Sequence, residues 1–234
     1  MHPKIALAIP NAATFCSLTA GVLSIIFLFE EEFLMAAGLI GLAAICDGLD
    51  GELANRLKST SSMGKELDSL ADLVTFGVAP GLLTYNLLLL EGVQLILAIP
   101  VSLVFVWAGA FRLARYNTLP SNRSAYFVGL PIPAGCALLV TGAFWQHWTV
   151  HLWWTLAVVT ISFLMISIFP YPKTKHLLHL PPAAWVAALG FMAAFWVIAG
   201  WQLIPFGMLA LYAMYGPALW LYRRNQPQPE AGQA

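Results

Sequence analysis

Four aspartates within one short stretch are the residues of this sequence best suited to chemistry. Asp47 and Asp50 lie three positions apart, and Asp68 and Asp72 lie four positions apart, so each pair would project from one face of a helix. Both pairs adjoin strongly apolar runs. A carboxylate at membrane depth costs about 3 kcal/mol on insertion scales, so four of them together need a compensating partner. A divalent cation is the simplest partner.

A carboxylate site for one or two divalent cations favours a phosphorylated ligand, because two metals can clamp the attacking and leaving oxygens of a displacement at phosphorus. Gly64 precedes Asp68 by one helical turn and leaves room above its carboxylate. Arg112 and Arg115 lie three positions apart at the end of an apolar run. Guanidinium groups suit bidentate contact with phosphate or carboxylate, so we predict an anion site there.

Two other interpretations explain the same aspartates. They could form structural salt bridges with the nearby basic residues, which are Arg56, Lys58, Lys65, Arg112 and Arg115. They could also belong to a proton-coupled transporter, whose aspartates bind ions near the membrane midplane. The position of these aspartates at the ends of apolar runs argues against the transporter.

The elements that position these residues are predicted to be membrane helices. Of the 234 residues, 60% are hydrophobic and 9% are charged, which is far from the composition of a soluble domain and does not favour a nucleic-acid partner. A helix needs about 20 mostly apolar residues to cross a bilayer. Eight stretches meet this requirement: 5–29, 33–56, 67–90, 94–116, 131–149, 152–170, 181–200 and 203–222. The expected fold is an all-α polytopic bundle in a lipid bilayer, with six or seven spans as the alternative.

The basic residues predict the orientation of the bundle, because Lys and Arg are enriched in short cytoplasmic loops. With eight spans, all 11 fall on one side: Lys4, Arg56, Lys58, Lys65, Arg112, Arg115, Arg123, Lys173, Lys175, Arg223 and Arg224. This partition predicts cytoplasmic termini. It also places the aspartate stretch at the cytoplasmic face of the inner membrane.

The aspartates and the small residues among them follow a long and specific pattern. It reads Asp47-x-x-Asp50-Gly51-x-x-Ala54, followed by Gly64-x-x-x-Asp68-x-x-x-Asp72. This pattern resembles the signature of the CDP-alcohol phosphatidyltransferases. Within that family the sequence is most similar to the membrane-embedded phosphatidylserine synthases of bacteria. The segments that carry this similarity are IPN at 9–11, ELDSLADLVTFGVAP at 66–80, RLARYN at 112–117, YFVGLPIPAG at 126–135 and LMISIFPYPKTK at 164–175.

The resemblance implies transfer of the phosphatidyl group from CDP-diacylglycerol to the hydroxyl of L-serine, with release of CMP. It also implies a divalent metal, Mg or Mn, and a possible homodimer. Other acceptors known in the family, glycerol phosphate and inositol phosphate, remain alternatives. An inactive or transport-type relative with the same fold is a further alternative.

The resemblance assigns roles to individual residues as well. The metal ligands would be Asp47, Asp50, Asp68 and Asp72, with Asp72 also acting as general base for the serine hydroxyl. The residues around the cytidine diphosphate would be Gly51, Ala54, Arg56 and Gly64. Arg112 and Arg115 would bind the serine carboxylate or a substrate phosphate.

One position departs from the family signature, which has Arg directly after the Ala. Here Asn55 stands in that place and Arg56 follows, which turns the guanidinium by about 100° around a regular helix. The expected domain organisation is a transferase core over residues 1–176, two additional helices over 177–224 and a disordered polar tail over 225–234.

Overall fold

The computed structural model of the protein describes residues 3–57, 61–118, 126–143, 151–172 and 204–224. Its helices are α1 (Pro3–Phe29), α2 (Phe33–Leu57), α3 (Ser62–Asp72), α4 (Ala79–Leu90), α5 (Leu95–Thr118), α6 (Ile132–Ala143), α7 (His151–Ile166) and α8 (Ile204–Arg224). A π-helical segment, Leu73–Val78, joins α3 to α4. Two short strands, β1 (Tyr126–Val128) and β2 (Pro170–Pro172), complete the described elements.

Long apolar helices dominate this architecture, as the sequence predicts. Among the described residues, five helices are long and apolar enough to cross a membrane: Ala8–Phe29, Phe33–Ala54, Ser62–Leu90, Leu95–Thr118 and Ile204–Arg224. Helices α6 and α7 are apolar but shorter within the described ranges. The prediction of a helical membrane bundle is therefore confirmed. The predicted span 181–200 and the predicted tail 225–234 lie outside the described residues.

The third membrane helix changes its winding directly after Asp72. The N–H of Ala79 donates to the carbonyl of Val74, five residues back, which is the hydrogen bond of a π-helical turn. Pro80 has no N–H to donate to the carbonyl one α-helical turn before it. The sequence predicts a loosened or kinked helix at Gly77 and Pro80, and the π-helical segment is the form that this loosening takes.

A two-stranded antiparallel ladder was not predicted. Strand β1 pairs with β2 so that Phe127 lies opposite Tyr171. Gly129 follows β1 with a φ of 78°, a conformation that glycine adopts without strain. The predicted sixth span, 152–170, instead ends as a helix at Ile166 and is followed by β2. Three-residue strands are too short to show an alternating pattern in a sequence.

Close packing against the π-helical segment places α1 beside the third membrane helix. A Cβ atom at Gly21 of α1 would collide with Thr75, and the Thr75 hydroxyl donates to the carbonyl of Ser17 over 3.4 Å. Phe76 and Phe105 are fully buried in the same core. The packing thus holds α1, α3 and α5 together at the end of the bundle that carries the aspartates.

Candidate active site

The aspartates converge where the end of α2 meets α3. Asp47 and Asp50 lie in the last turns of α2, and Asp68 lies in α3. One carboxylate oxygen from each of the three lies within 4.8 Å of the others. Three anionic oxygens this close repel one another unless a cation or protons lie among them. Their donor set of carboxylate oxygens suits the hard cations Mg and Mn.

Helix α1 orients the most buried of these ligands. Asp50 is only 6% exposed, and its Oδ2 accepts a hydrogen bond of 2.6 Å from Thr14 Oγ1. This contact fixes the orientation of the Asp50 carboxylate. Thr14 was not among the residues predicted from the sequence to form the site. Thr14 lies one helical turn after Pro10, which belongs to the IPN segment at 9–11. This spacing was the feature of the sequence that could have indicated a role for Thr14 in the site.

Asp72 lies beside the three-carboxylate cluster as a fourth acidic group. Its carboxyl group lies close to that of Asp47, and its Oδ1 is buried without a partner. Because the π-helical segment begins at the next residue, Asp72 ends the regular α-helix that carries Asp68. The unpartnered buried oxygen is available to a proton or a cation.

Two cavities meet at the cluster. The smaller, of about 250 Å³, is lined by Pro10, Asn11, Thr14, Asp50, Gly51, Ala54, Ser61, Gly64, Lys65 and Asp68. A Cβ atom at Gly64 would lie 3.2 Å from Asn11 Oδ1, so a side chain there would narrow the cavity. Three of the four residues predicted to surround the cytidine diphosphate, Gly51, Ala54 and Gly64, therefore line one space.

Arg56, the fourth of those residues, lies elsewhere. Its guanidinium pairs with the carboxylate of Glu52, one helical turn back on α2, and both side chains are exposed. Arg56 lines neither cavity. The turn of about 100° between positions 55 and 56 explains this placement. The contact between Arg56 and a diphosphate stays a prediction, and the cavity that holds Gly51, Ala54 and Gly64 does not include Arg56.

The larger cavity, of about 610 Å³, lies on the other side of the cluster. Asp50 and Asp68 border both cavities, and Asp47 and Asp72 border the larger one. The opposite wall comes from α5, through Arg112, Tyr116 and Asn117, and from elements later in the chain, through Phe127, Pro131, Pro133, Pro172, Leu209 and Tyr212. A carboxylate wall thus faces a wall that carries one buried guanidinium.

The two arginines predicted to bind an anion lie in different surroundings. Arg112 is 8% exposed, lines the larger cavity, and has a buried Nε without a hydrogen-bond partner. Arg115 instead donates to the carbonyls of Ile166, Val128 and Met165 over 2.6, 2.8 and 3.1 Å. It therefore joins the C-terminal end of α7 to β1. Of the two arginines, Arg112 alone lines the larger cavity, and their binding of an anion stays a prediction.

The salt-bridge interpretation of the aspartates fails for the described part of the chain. There the one ion pair is that between Arg56 and Glu52. Lys65 contacts the ring of Tyr116 at 5.7 Å, and Arg112 attracts Asp72 electrostatically without an ion-pair contact. Lys58 lies outside the described residues. Within the described ranges the aspartates thus lack basic partners, which suits a cation site.

Comparison with known proteins identifies relatives of this arrangement. The profile of the CDP-alcohol phosphatidyltransferase family matches residues 7–166. A CDP-diacylglycerol–serine O-phosphatidyltransferase of Mycobacterium leprae is 40% identical, covering 84% of this chain and 69% of that protein. A protein of the same name from Helicobacter pylori is 35% identical, covering 91% of this chain and 91% of that protein. Another from Methanocaldococcus jannaschii is 34% identical, covering 90% of this chain and 92% of that protein. The protein described here belongs to the CDP-alcohol phosphatidyltransferase family.

Proposed function

We propose that this protein is a CDP-diacylglycerol–serine O-phosphatidyltransferase. The observation that carries the proposal is the cluster of Asp47, Asp50 and Asp68 at the junction of two cavities. One cavity is lined by the small residues of the family signature, and the other contains a buried, unpaired guanidinium. The names of the relatives from three genera support serine as the acceptor.

The residues present fit a divalent metal. Asp47, Asp50 and Asp68 would hold it, and Asp72 would complete the site through its buried oxygen. When bound, Mg or Mn neutralises the diphosphate and stabilises the negative charge that develops on the transferring phosphoryl group. The Thr14 hydroxyl keeps the Asp50 carboxylate in the orientation that the metal needs.

The transfer itself is a displacement at phosphorus. The serine hydroxyl oxygen forms a bond to the phosphorus of the phosphatidyl group while the bond from that phosphorus to the CMP oxygen breaks. Asp72 is placed to accept the proton of the serine hydroxyl, since it borders the larger cavity and lies beside the metal ligands. Arg112 would hold the serine carboxylate in the same cavity. CMP leaves from the smaller cavity, where Gly51, Ala54 and Gly64 would lie beside the cytidine diphosphate of the bound CDP-diacylglycerol.

The membrane arrangement is part of the proposal. Residues 1–176 form the transferase core, residues 177–224 add two helices, and residues 225–234 form a disordered tail. The bundle has eight spans in the inner membrane, with both termini and the active site facing the cytoplasm. Large apolar side chains on the outer surface, such as Phe15 and Trp107, suit contact with lipid. A homodimer is the proposed assembly.

The deciding experiment is a measurement of CMP release from CDP-diacylglycerol by the purified protein in detergent with Mg or Mn. Serine, glycerol phosphate, inositol phosphate and no acceptor are compared. We expect release that depends on serine. Release with another acceptor alone would overturn the substrate but keep the chemistry. No release by folded protein with any acceptor would favour the inactive or transport-type relative.

A further inference from the structure

Helix α8 forms part of the wall of the larger cavity. Leu209 and Tyr212 line it together with Arg112 and the aspartates. The part of the chain that matches the family profile ends at residue 166, so α8 lies beyond that match. No motif in residues 204–224 marks a site, and the sequence interpretation assigned this helix no chemistry.

Several contacts with β1 and β2 fix the position of α8 relative to the larger cavity. The Tyr171 hydroxyl of β2 donates to the carbonyl of Ala213 over 2.8 Å. Burial raises the pKa of Tyr171, so this hydroxyl keeps its proton and remains a donor. The ring of Tyr171 lies against Gly216, and the guanidinium of Arg223 lies over the ring of Tyr126 at 4.4 Å. These contacts fix the height of α8, and with it the position of Tyr212.

The hydroxyl of Tyr212 forms a long hydrogen bond that a bound anion could replace with a stronger one. It donates to the carbonyl of Pro172 over 3.3 Å, which is long for a hydroxyl donor. The same hydroxyl lies within the electrostatic reach of Arg112, and both residues line the cavity. An anion bound by Arg112 would offer Tyr212 a charged acceptor, which makes a stronger hydrogen bond than a distant carbonyl.

The guanidinium of Arg112 needs such an anion. The side chain is more than nine-tenths buried, its Nε has no partner, and no described carboxylate forms an ion pair with it. A buried charge without a partner is unfavourable, and a bound oxyanion would relieve this. A planar guanidinium beside a hydroxyl donor suits a carboxylate.

We propose that Arg112 and Tyr212 form an oxyanion subsite for the carboxylate of the amino-acid acceptor, with Tyr212 as a specificity-determining residue supplied by α8. This inference rests on the proposed function, because it assumes that serine enters the larger cavity. Tyr212 would add to acceptor binding and leave the transfer chemistry to the aspartates. Its loss therefore raises the KM for serine and spares kcat.

The phosphate of CDP-diacylglycerol is the other oxyanion that this subsite could hold. The two sources differ in a measurable way. A subsite for the acceptor carboxylate changes the KM for serine and the preference for serine over serinamide, which carries a neutral amide in place of the carboxylate. A subsite for the lipid phosphate changes the KM for CDP-diacylglycerol and leaves that preference intact.

The test compares the natural protein with Tyr212→Phe, which removes the hydroxyl in the larger cavity. The control is Tyr215→Phe, which removes a hydroxyl three residues further along α8 at a position that lines neither cavity. CMP release is measured against serine, serinamide and CDP-diacylglycerol. We expect Tyr212→Phe to raise the KM for serine about tenfold and to lower the preference for serine over serinamide by a similar factor. Tyr215→Phe should match the natural protein.

Unchanged kinetics in folded Tyr212→Phe, or a change in the KM for CDP-diacylglycerol alone, would overturn the inference. Failure of the natural protein to use serine would instead overturn the proposed function, so the two failures are distinguishable. If Tyr212→Phe does not fold, fluorotyrosine incorporated at Tyr212 reports through its fluorine NMR signal. A shift on adding serine but not serinamide supports the subsite, and no shift with serine contradicts it.

Discussion

At the scale of single residues, the site depends on negative charge that the protein itself leaves unbalanced. Asp47, Asp50 and Asp68 bring their oxygens within 4.8 Å of one another, and no described basic residue pairs with them. Arg112 carries an unbalanced positive charge in the same cavity, and its Nε is buried without a hydrogen-bond partner. Ligands of opposite charge are therefore expected on the two walls of the larger cavity.

Replacement of Asp68 by Asn tests the carboxylate wall. The variant keeps the size of the side chain but loses the charge that a divalent cation needs. We expect Asp68→Asn, and likewise Asp47→Asn, to lower the rate of CMP release by at least about a hundredfold. Glu66→Gln, an exposed change on the same helix, is the control and should remain active. Full activity in Asp68→Asn would refute the assignment.

The two arginines of α5 should behave differently when each is replaced by Lys. Arg112→Lys loses the planar fork in the cavity, so we expect the KM for serine to rise about tenfold. Arg115→Lys cannot reproduce three hydrogen bonds to carbonyls and should destabilise the protein by about 2 kcal/mol. The measurements are serine kinetics and thermal unfolding in detergent. A higher KM for serine in Arg115→Lys at unchanged stability would contradict this division of roles.

At the scale of elements, the site is held together by helix ends rather than helix centres. Arg115 ties the end of α7 to β1, and the π-helical segment begins where the aspartates of α3 end. Helix α8 is attached through Tyr171, whose ring packs against Gly216. The contacts of Arg115 and Tyr171 join segments far apart in the chain, which is why changes there should affect both stability and the cavity.

Gly216→Ala tests the attachment of α8. A Cβ atom at this position would lie 2.5 to 2.8 Å from three ring atoms of Tyr171, so the helix or the ring must move. We expect a loss of about 2 kcal/mol in the free energy of unfolding, together with a higher KM for serine because Tyr212 is displaced.

Gly41→Ala is the matched control for that substitution. An added Cβ at Gly41 would meet no atom within 4 Å, and alanine is the better helix former. Its thermal unfolding in detergent should therefore be unchanged or slightly higher in temperature. If Gly216→Ala has the same free energy of unfolding as the natural protein, α8 tolerates displacement and the prediction for Gly216→Ala is wrong.

At the scale of the whole molecule, the aspartate cluster is the boundary between two compartments. Asp50, Gly51, Lys65 and Asp68 line both the smaller and the larger cavity. A substrate that spans this boundary would place its reacting phosphorus beside the carboxylates. In the proposed reaction this division would separate the leaving nucleotide from the incoming acceptor, as a displacement with opposite entry and exit requires.

The proposed orientation can be tested by labelling in intact cells. Glu31→Cys lies in the exposed turn between α1 and α2, and Met63→Cys lies at the exposed start of α3. If the active site faces the cytoplasm, a membrane-impermeant maleimide added outside spheroplasts should label Glu31→Cys. It should label Met63→Cys only in inverted vesicles. The reverse pattern would overturn the orientation, and the natural protein measures labelling of its own cysteines.

The sequence determined the membrane class and the carboxylate cluster, because both follow from short-range patterns. Apolar length predicts helices that span a bilayer, and spacings of three and four residues predict shared helix faces. The grouping of Gly51, Ala54 and Gly64 was implied by the resemblance to the family signature, and the structure places them with Asp50 in the lining of one cavity. The number of spans and the roles of the site residues remain predictions.

The tertiary structure alone decided which residues complete the site. Spacing put Arg112 and Arg115 on one face, but the carbonyls that receive Arg115 come from β1 and α7, about 13 to 51 positions away along the chain. Thr14 and Tyr212 likewise reach the site from α1 and α8 through long-range packing. Helical periodicity specifies the direction of a side chain on its own helix. It does not specify which distant backbone or helix that side chain will meet, since this depends on how all the helices pack together.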